Sequence, residues 1–250
     1  MKKILIIILL TQNIIAQDII IDTIIPNNIT AEKILNNYFK KIGGIKKLNK
    51  INTLQKYFTV EIEETNGLNV YGNIMYKMPD LYASKITQEI GELKRITSTK
   101  YNGKNCMITR NYNGETSTSE IKGKILEEQV KGFTPFPLLY AKKNNISFNI
   151  IEIHKTPKEK LYKLYMNDPT NVDSVFFLFD ANSHYLVKKE EIGKKNTKIT
   201  EYKNYQQVDE YVFPFLENSI IYIDKKIAQK SAHKINQIDI NKSIPKNEFE

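Results

Sequence analysis

From Leu54 onward, apolar residues recur at every second position in short runs, and nearly every run stops at a turn dipeptide. Alternation with a period of two sends successive side chains to opposite faces of a strand, so a chain patterned this way is committed to sheet. Phe58, Val60 and Ile62 share one face of a first strand, and Asn66-Gly67 makes the turn. Val70, Gly72, Ile74, Tyr76 and Met78 share a face of the second, which ends at Pro79-Asp80. Further runs at 81–90, 93–101 and 106–112 are separated by Gly91, Asn102-Gly103 and Asn113-Gly114. Strands resume at 147–154 and 161–166, then at 175–179 and 185–189 around a tight turn at 180–183, and continue from Thr197 to Ile240. The pattern predicts a mainly β, antiparallel meander of about ten or eleven strands in one domain.

Two segments interrupt it. Thr30 reads as an N-cap with Glu32 in the first turn, and Ile34, Leu35, Tyr38, Phe39 and Ile42 follow at helical spacing before Gly43-Gly44. This predicts an amphipathic helix of about three turns, a common length in globular domains. In mid-chain, a polar stretch at 121–131 reads as an exposed helix. It leads into Gly132–Tyr140, an apolar loop or short helix in which Pro135 and Pro137 exclude a regular helix throughout. A sheet this long curls, and its concave side must be filled. The two segments either complete that core or cover a cavity, and periodicity does not choose between these.

The first residues read as a secretory signal at 1–16. Lys2 and Lys3 form a charged n-region, Ile4–Leu10 is an unbroken apolar run, and Ala16 offers a small residue for cleavage. The run is too short to span a bilayer core of about 30 Å as a helix. Gln17 stands where a bacterial lipoprotein carries its acylated cysteine, so the expected product is exported, periplasmic and not lipid-anchored. Residues 17–29 show no period and are expected to be a loose arm, with the domain proper at 30–250. Cys106 is the single cysteine, which forbids an internal disulfide.

The formal charge is +9, about +7 without Lys2 and Lys3, yet Arg95 and Arg110 are the only arginines. Bidentate phosphate and base recognition favours Arg, so the excess of lysine argues against nucleic acid. A peripheral encounter with anionic membrane surfaces is compatible with it. His154, His184 and His233 lie on separate predicted elements without metal-ligand spacing, and no nucleophile or phosphate-loop motif occurs. The reading is therefore a non-enzymatic protein with no metal and no cofactor.

The mature chain, from about Thr30 to Glu250, resembles the LolA/LolB-like outer-membrane lipoprotein-sorting proteins, as a divergent periplasmic member. Ile34-Leu35-Asn36-Asn37-Tyr38-Phe39 running into Ile42-Gly43-Gly44, Lys47-Leu48 and Ile51–Leu54 is similar to the family's opening helix and first strand entry. Gly72–Tyr76 with Met78-Pro79 matches a strand that ends in proline. Tyr101–Lys104 matches a hairpin, Tyr202–Tyr205 with Val208 and Phe213-Pro214 a late strand pair, and Ile238–Asn241 with Ile244-Pro245 the closing strand and tail. The resemblance implies a curved antiparallel half-barrel whose open side is covered by helices, holding acyl chains without covalent chemistry. Implied partners are acyl lipid or lipoprotein, an inner-membrane transporter as donor and an outer-membrane acceptor. One departure stands out: the family's carriers place an arginine before the strand-ending proline, where it helps hold the lid closed, and here the residue is Met78.

On this footing the expected lipid-binding cavity comprises Leu35, Tyr38 and Ile42 on the helix, with Phe58, Val60, Ile74, Tyr76 and Met78 on the early strands. Phe133, Phe136, Leu138 and Leu139 would form the lid. The rival expectation is a periplasmic sensor or protein-binding module on the same half-barrel.

Overall fold

The computed structural model describes residues 19–250, and the expected leader at 1–16 with its cleavage site lies outside them. Fourteen strands form one continuous sheet in which every neighbouring pair is antiparallel. A first meander runs β2 (Thr53–Ile62), β3 (Leu68–Lys77), β4 (Leu81–Ile90), β5 (Leu93–Asn102), β6 (Cys106–Tyr112) and β7 (Glu115–Ile121). A second runs β8 (Ser147–Lys155), β9 (Lys160–Asn167), β10 (Ser174–Asp180), β11 (Leu186–Ile192), β12 (Asn196–Val208), β13 (Tyr211–Ile223) and β14 (Lys226–Ile240). The last strand, β14, pairs with β2 and welds the two meanders, while β1 (Ile20–Asp22) extends the far edge by pairing with β8.

The fourteen strands exceed the expected ten or eleven, and the strand boundaries differ from the sequence pattern for physical reasons. The β7 strand, ETSTSEI, is exposed almost throughout, so neither face carries an apolar alternation. Within the expected stretch 197–240, β13 runs unbroken through Phe213-Pro214. Pro214, which lacks an N–H, is tolerated opposite Tyr205, beside Asn204 at φ 53°, where the ladder is locally interrupted. Finally, part of the expected loose arm is β1, whose pairing with β8 is reinforced by an ion pair between Asp22 and Lys155.

Helix α1 (Ala31–Lys41) begins as its sequence dictates, with the Thr30 hydroxyl accepting from the Lys33 amide at 3.2 Å. It ends at Gly43, φ 125°, where a Cβ would also lie 3.0 Å from the Tyr211 ring. The short α2 (Ile45–Leu48) follows, and Tyr211 donates its hydroxyl proton to the Lys47 carbonyl at 3.1 Å. Ile34, Leu35 and Phe39 of α1 are buried against the concave face of the sheet.

The register explains which residues reach that face. Leu54, Lys56, Phe58 and Val60 of β2 pair with Tyr76, Ile74, Gly72 and Val70 of β3, so all eight point the same way. At Gly72 an added Cβ would sit 2.2 Å from the Lys85 carbonyl oxygen of β4, so only glycine permits this approach. A bulge at Asn236 shifts the period of β14 and brings both Ile235 and Ile238 inward.

The sheet does not close. The chain leaves β7 at one edge and re-enters at β8, next to the other edge, and the connection contains α3 (Gly123–Val130) and α4 (Pro137–Lys143). Its contacts bridge both meanders. Phe133 stacks on Tyr82 of β4 with centroids 4.1 Å apart, while Phe136 faces Phe213 of β13 at 6.1 Å. The connection therefore lies across the open side of a half-barrel. A second, smaller core sits on the convex face, where Ile244 and Phe249 of the C-terminal tail cover Met75 and Ala83. Among the described residues no helix is long and apolar enough to cross a membrane.

Candidate functional site

Beneath the bridging connection a chamber of about 210 Å³ opens between α1, α4 and the concave wall. Its roof is Thr134–Leu139 together with Tyr38, Phe39 and Ile42 of α1. Its floor combines Phe177, Leu186 and Phe213 with an array of polar side chains: Lys56, Tyr76, Lys189, Tyr202, Tyr205 and Glu217. A second cavity of about 330 Å³ adjoins it, sharing Pro137, Phe177 and Lys189, and lies between α3, α4 and β9–β11.

The sequence-predicted residues divide between chamber and core. Tyr38, Ile42, Tyr76, Phe136, Leu138 and Leu139 line the chamber. Leu35 and Phe58 are fully packed in the main core, and Val60, Ile74 and Met78 pack against it without bordering the chamber. Phe133 is an anchor on Tyr82 and Tyr101, away from the chamber. Sequence reasoning missed Lys56, Lys189, Tyr202, Tyr205 and Glu217, although a signal existed. Lys56 sits at the inward position between Leu54 and Phe58, where a strand with a purely structural face would carry an apolar residue.

Electrostatics distinguish this floor from ordinary core. Burial pushes the hydroxyls of Tyr38, Tyr76, Tyr202 and Tyr205 above the usual phenol range, which leaves them neutral hydrogen-bonding groups. Tyr205 donates to the Leu186 carbonyl at 2.6 Å and stacks on Tyr185 at 4.1 Å. Lys189 pairs with Glu191 at 2.7 Å. Burial pulls the Lys56 ammonium below the ordinary lysine range, with Glu217 opposing that shift through space. Among the described residues neither Lys56 nor Glu217 is in an ion pair, and the Lys56 Nζ lies 6.0 Å from the Phe213 ring centroid. His233, directly opposite Glu217 on β14, is held edge-on to Phe58 at 4.2 Å, and burial lowers its pKa.

Polar contacts tie the connection to the sheet at another point. Lys131, capping α3, donates to the Thr170 carbonyl at 2.9 Å, the Thr170 hydroxyl at 2.6 Å and the Asn171 side chain at 3.2 Å. The Asp168 carboxylate lies 3.8 Å from the same ammonium. Met78, by contrast, offers no polar tie and packs against the core.

Comparison with solved structures places this arrangement. A crystal structure of a LolA superfamily protein from Nitrosomonas europaea superimposes with a TM-score of 0.54 over 89% of this chain and 98% of that one, at 12% identity. The chain shares its fold with that protein. No protein-family profile matches the chain, and no curated protein matches it in sequence. In this half-barrel the curved sheet and its covering helices enclose an interior. The chamber described above occupies that interior. Among the described residues no cluster of three or more His, Cys, Asp or Glu is arranged to hold a metal. Cys106 is buried, and its thiol is pushed above the usual cysteine range by desolvation.

Proposed function

We propose that this protein is a periplasmic carrier that shields an acyl chain of a lipid or lipoprotein beneath the α3–α4 connection. The observation that carries this reading is the covered chamber, roofed by Phe136, Leu138 and Leu139 at the point where the chain crosses from one sheet edge to the other. Each methylene moved from water into such a space contributes about 0.8 kcal/mol, so a chain of ten is worth about 8 kcal/mol without any covalent chemistry. In this closed state the chamber is smaller than the roughly 300–1,000 Å³ of a typical ligand pocket. Loading therefore requires the connection to lift from the wall, and the Lys131 contacts resist that movement. A role in outer-membrane lipoprotein sorting, with an inner-membrane transporter as donor and an outer-membrane acceptor, follows from the same reading and from the leader expected at 1–16.

The small chamber also supports a second reading, a sensor or protein-binding module whose interior stays closed. Uptake of a fluorescent fatty-acid probe separates the two. The carrier reading expects saturable uptake by the native protein and strongly reduced uptake by Phe136→Asp, with far-UV circular dichroism unchanged. Probe that is not taken up, or uptake indifferent to the substitution, would contradict it.

A further inference from the structure

Within the chamber, Lys56 and Glu217 are charges of opposite sign that do not pair with each other. They reach the same space from β2 and β13, on either side of β14. Lys56 leans toward Phe213, and Glu217 lies further along the same strand, opposite His233 and Tyr202. A desolvated charge without a partner is costly, and Lys56 would stabilise the fold better in a direct pair with Glu217 or replaced by an apolar residue. The other charged pair of this wall, Lys189 with Glu191, is closed at 2.7 Å. Lys56 and Glu217 are thus left as one free donor of positive charge and one free acceptor, flanked by the Tyr202 hydroxyl and by the buried His233 Nε2, which has no hydrogen-bond partner among the described residues.

We propose that this polar floor is a head-group subsite for a single-chain zwitterionic amphiphile, with Lys56 taking the anionic oxygen group and Glu217 the ammonium. The proposal rests on the carrier reading and narrows its cargo. The chamber and the adjoining cavity, about 210 and 330 Å³ and sharing Pro137, Phe177 and Lys189, suit one chain and one head. An anion brought beside Lys56 also favours its charged form against the desolvation that burial imposes. The apolar roof then receives the tail, so one amphiphile satisfies both surfaces.

Displacement of the fluorescent probe by three ligands of equal chain length tests this: a lysophosphatidylethanolamine, a free fatty acid and a monoacylglycerol. The zwitterion is expected to compete best and the neutral glyceride worst. Hydrogen bonds to charged groups correspond to about tenfold to a hundredfold in affinity. Lys56→Met should weaken the zwitterion and the fatty acid by at least about tenfold and leave the glyceride unchanged. Glu217→Gln, nearly isosteric, should weaken the zwitterion but strengthen the fatty acid, because it removes a like charge. Thermal unfolding of both variants checks that the fold persists. Equal competition by all three ligands, unmoved by either variant, would overturn the head-group subsite while leaving the carrier reading standing. A protein that takes up neither the probe nor any ligand would overturn both.

Discussion

Along β2 and β3 the inward side chains Leu54, Phe58 and Ile74 are consumed by packing in the main core, and only Lys56 and Tyr76, of those from Leu54 to Phe58 and from Ile74 to Tyr76, border open space. Along β11–β13, at the same depth, the inward positions hold Lys189, Tyr202 and Glu217, and here the chamber opens. The two stretches belong to one sheet with one curvature, so side-chain chemistry makes the difference. Where the alternation is purely apolar, α1 closes onto it as core. Where polar residues occupy inward positions, burying them against α1 or α4 would cost hydrogen bonds to water, and space is left instead.

That contrast can be broken from either side. The largest effect is expected on the packed stretch, where Phe58→Ala removes a ring that is 3% exposed and leaves a cavity in the main core. A loss of about 3–5 kcal/mol in urea unfolding is expected, with probe affinity per folded molecule unchanged. Probe binding that falls in step with stability would erase the distinction between the stretches. Gly72→Ala comes next. The new methyl group would strike the Lys85 carbonyl, and relaxing that clash in a packed sheet should cost about 1–3 kcal/mol. Unchanged stability would mean that the close approach of β3 to β4 is not required.

Lys131→Met should be milder for stability, about 1–2 kcal/mol, because the ammonium keeps some contact with water. Its signature is local: faster amide hydrogen exchange over 133–143 and faster probe entry. The pH dependence of this tie follows from Asp168. Burial alone would raise its pKa, but the Thr170 hydroxyl and amide, with Lys131, outweigh burial and hold the carboxyl below the usual range. Its contribution is therefore fully present above the unfolded value of about 3.9 and is lost as pH falls through the lower folded value. Exchange over 133–143 should rise only in that acidic window in the native protein. A variant already lacking Lys131 should show less of the rise. The smallest effect is expected for Tyr202→Phe. The Tyr202 hydroxyl has no hydrogen-bond partner among the described residues, so stability should move by less than about 0.5 kcal/mol. A change in ligand preference without a change in stability would sharpen the assignment of this stretch to binding.

How much of this is legible in the sequence differs between the same two stretches. The alternation at 54–78 reveals strand, face and partner, and the Thr30 cap with Gly43-Gly44 brackets α1 almost to the residue. Apolar periodicity reports packing, however, and packing is where most of the residues chosen by it end up. Phe58, Val60, Ile74 and Met78 are core for that reason. The chamber floor is written in departures from the period, at Lys56 and Glu217, which read as solvent-facing until the register assigns their side. Bulges at Asn236 and in β8 and β11 move the inward face by one residue, and local sequence does not announce them. β7 stayed hidden because a strand polar on both faces has no period to detect, and it is held only by pairing with β6.

The central claim is that a lipid chain occupies the covered chamber. Native mass spectrometry of the purified protein, before and after extraction with organic solvent, tests it most directly. A discrete added mass of one single-chain lipid per protein is expected, released by the solvent and reduced in the Phe136→Asp variant. A protein that is empty in every preparation, and that stays empty after incubation with such a lipid, would contradict it.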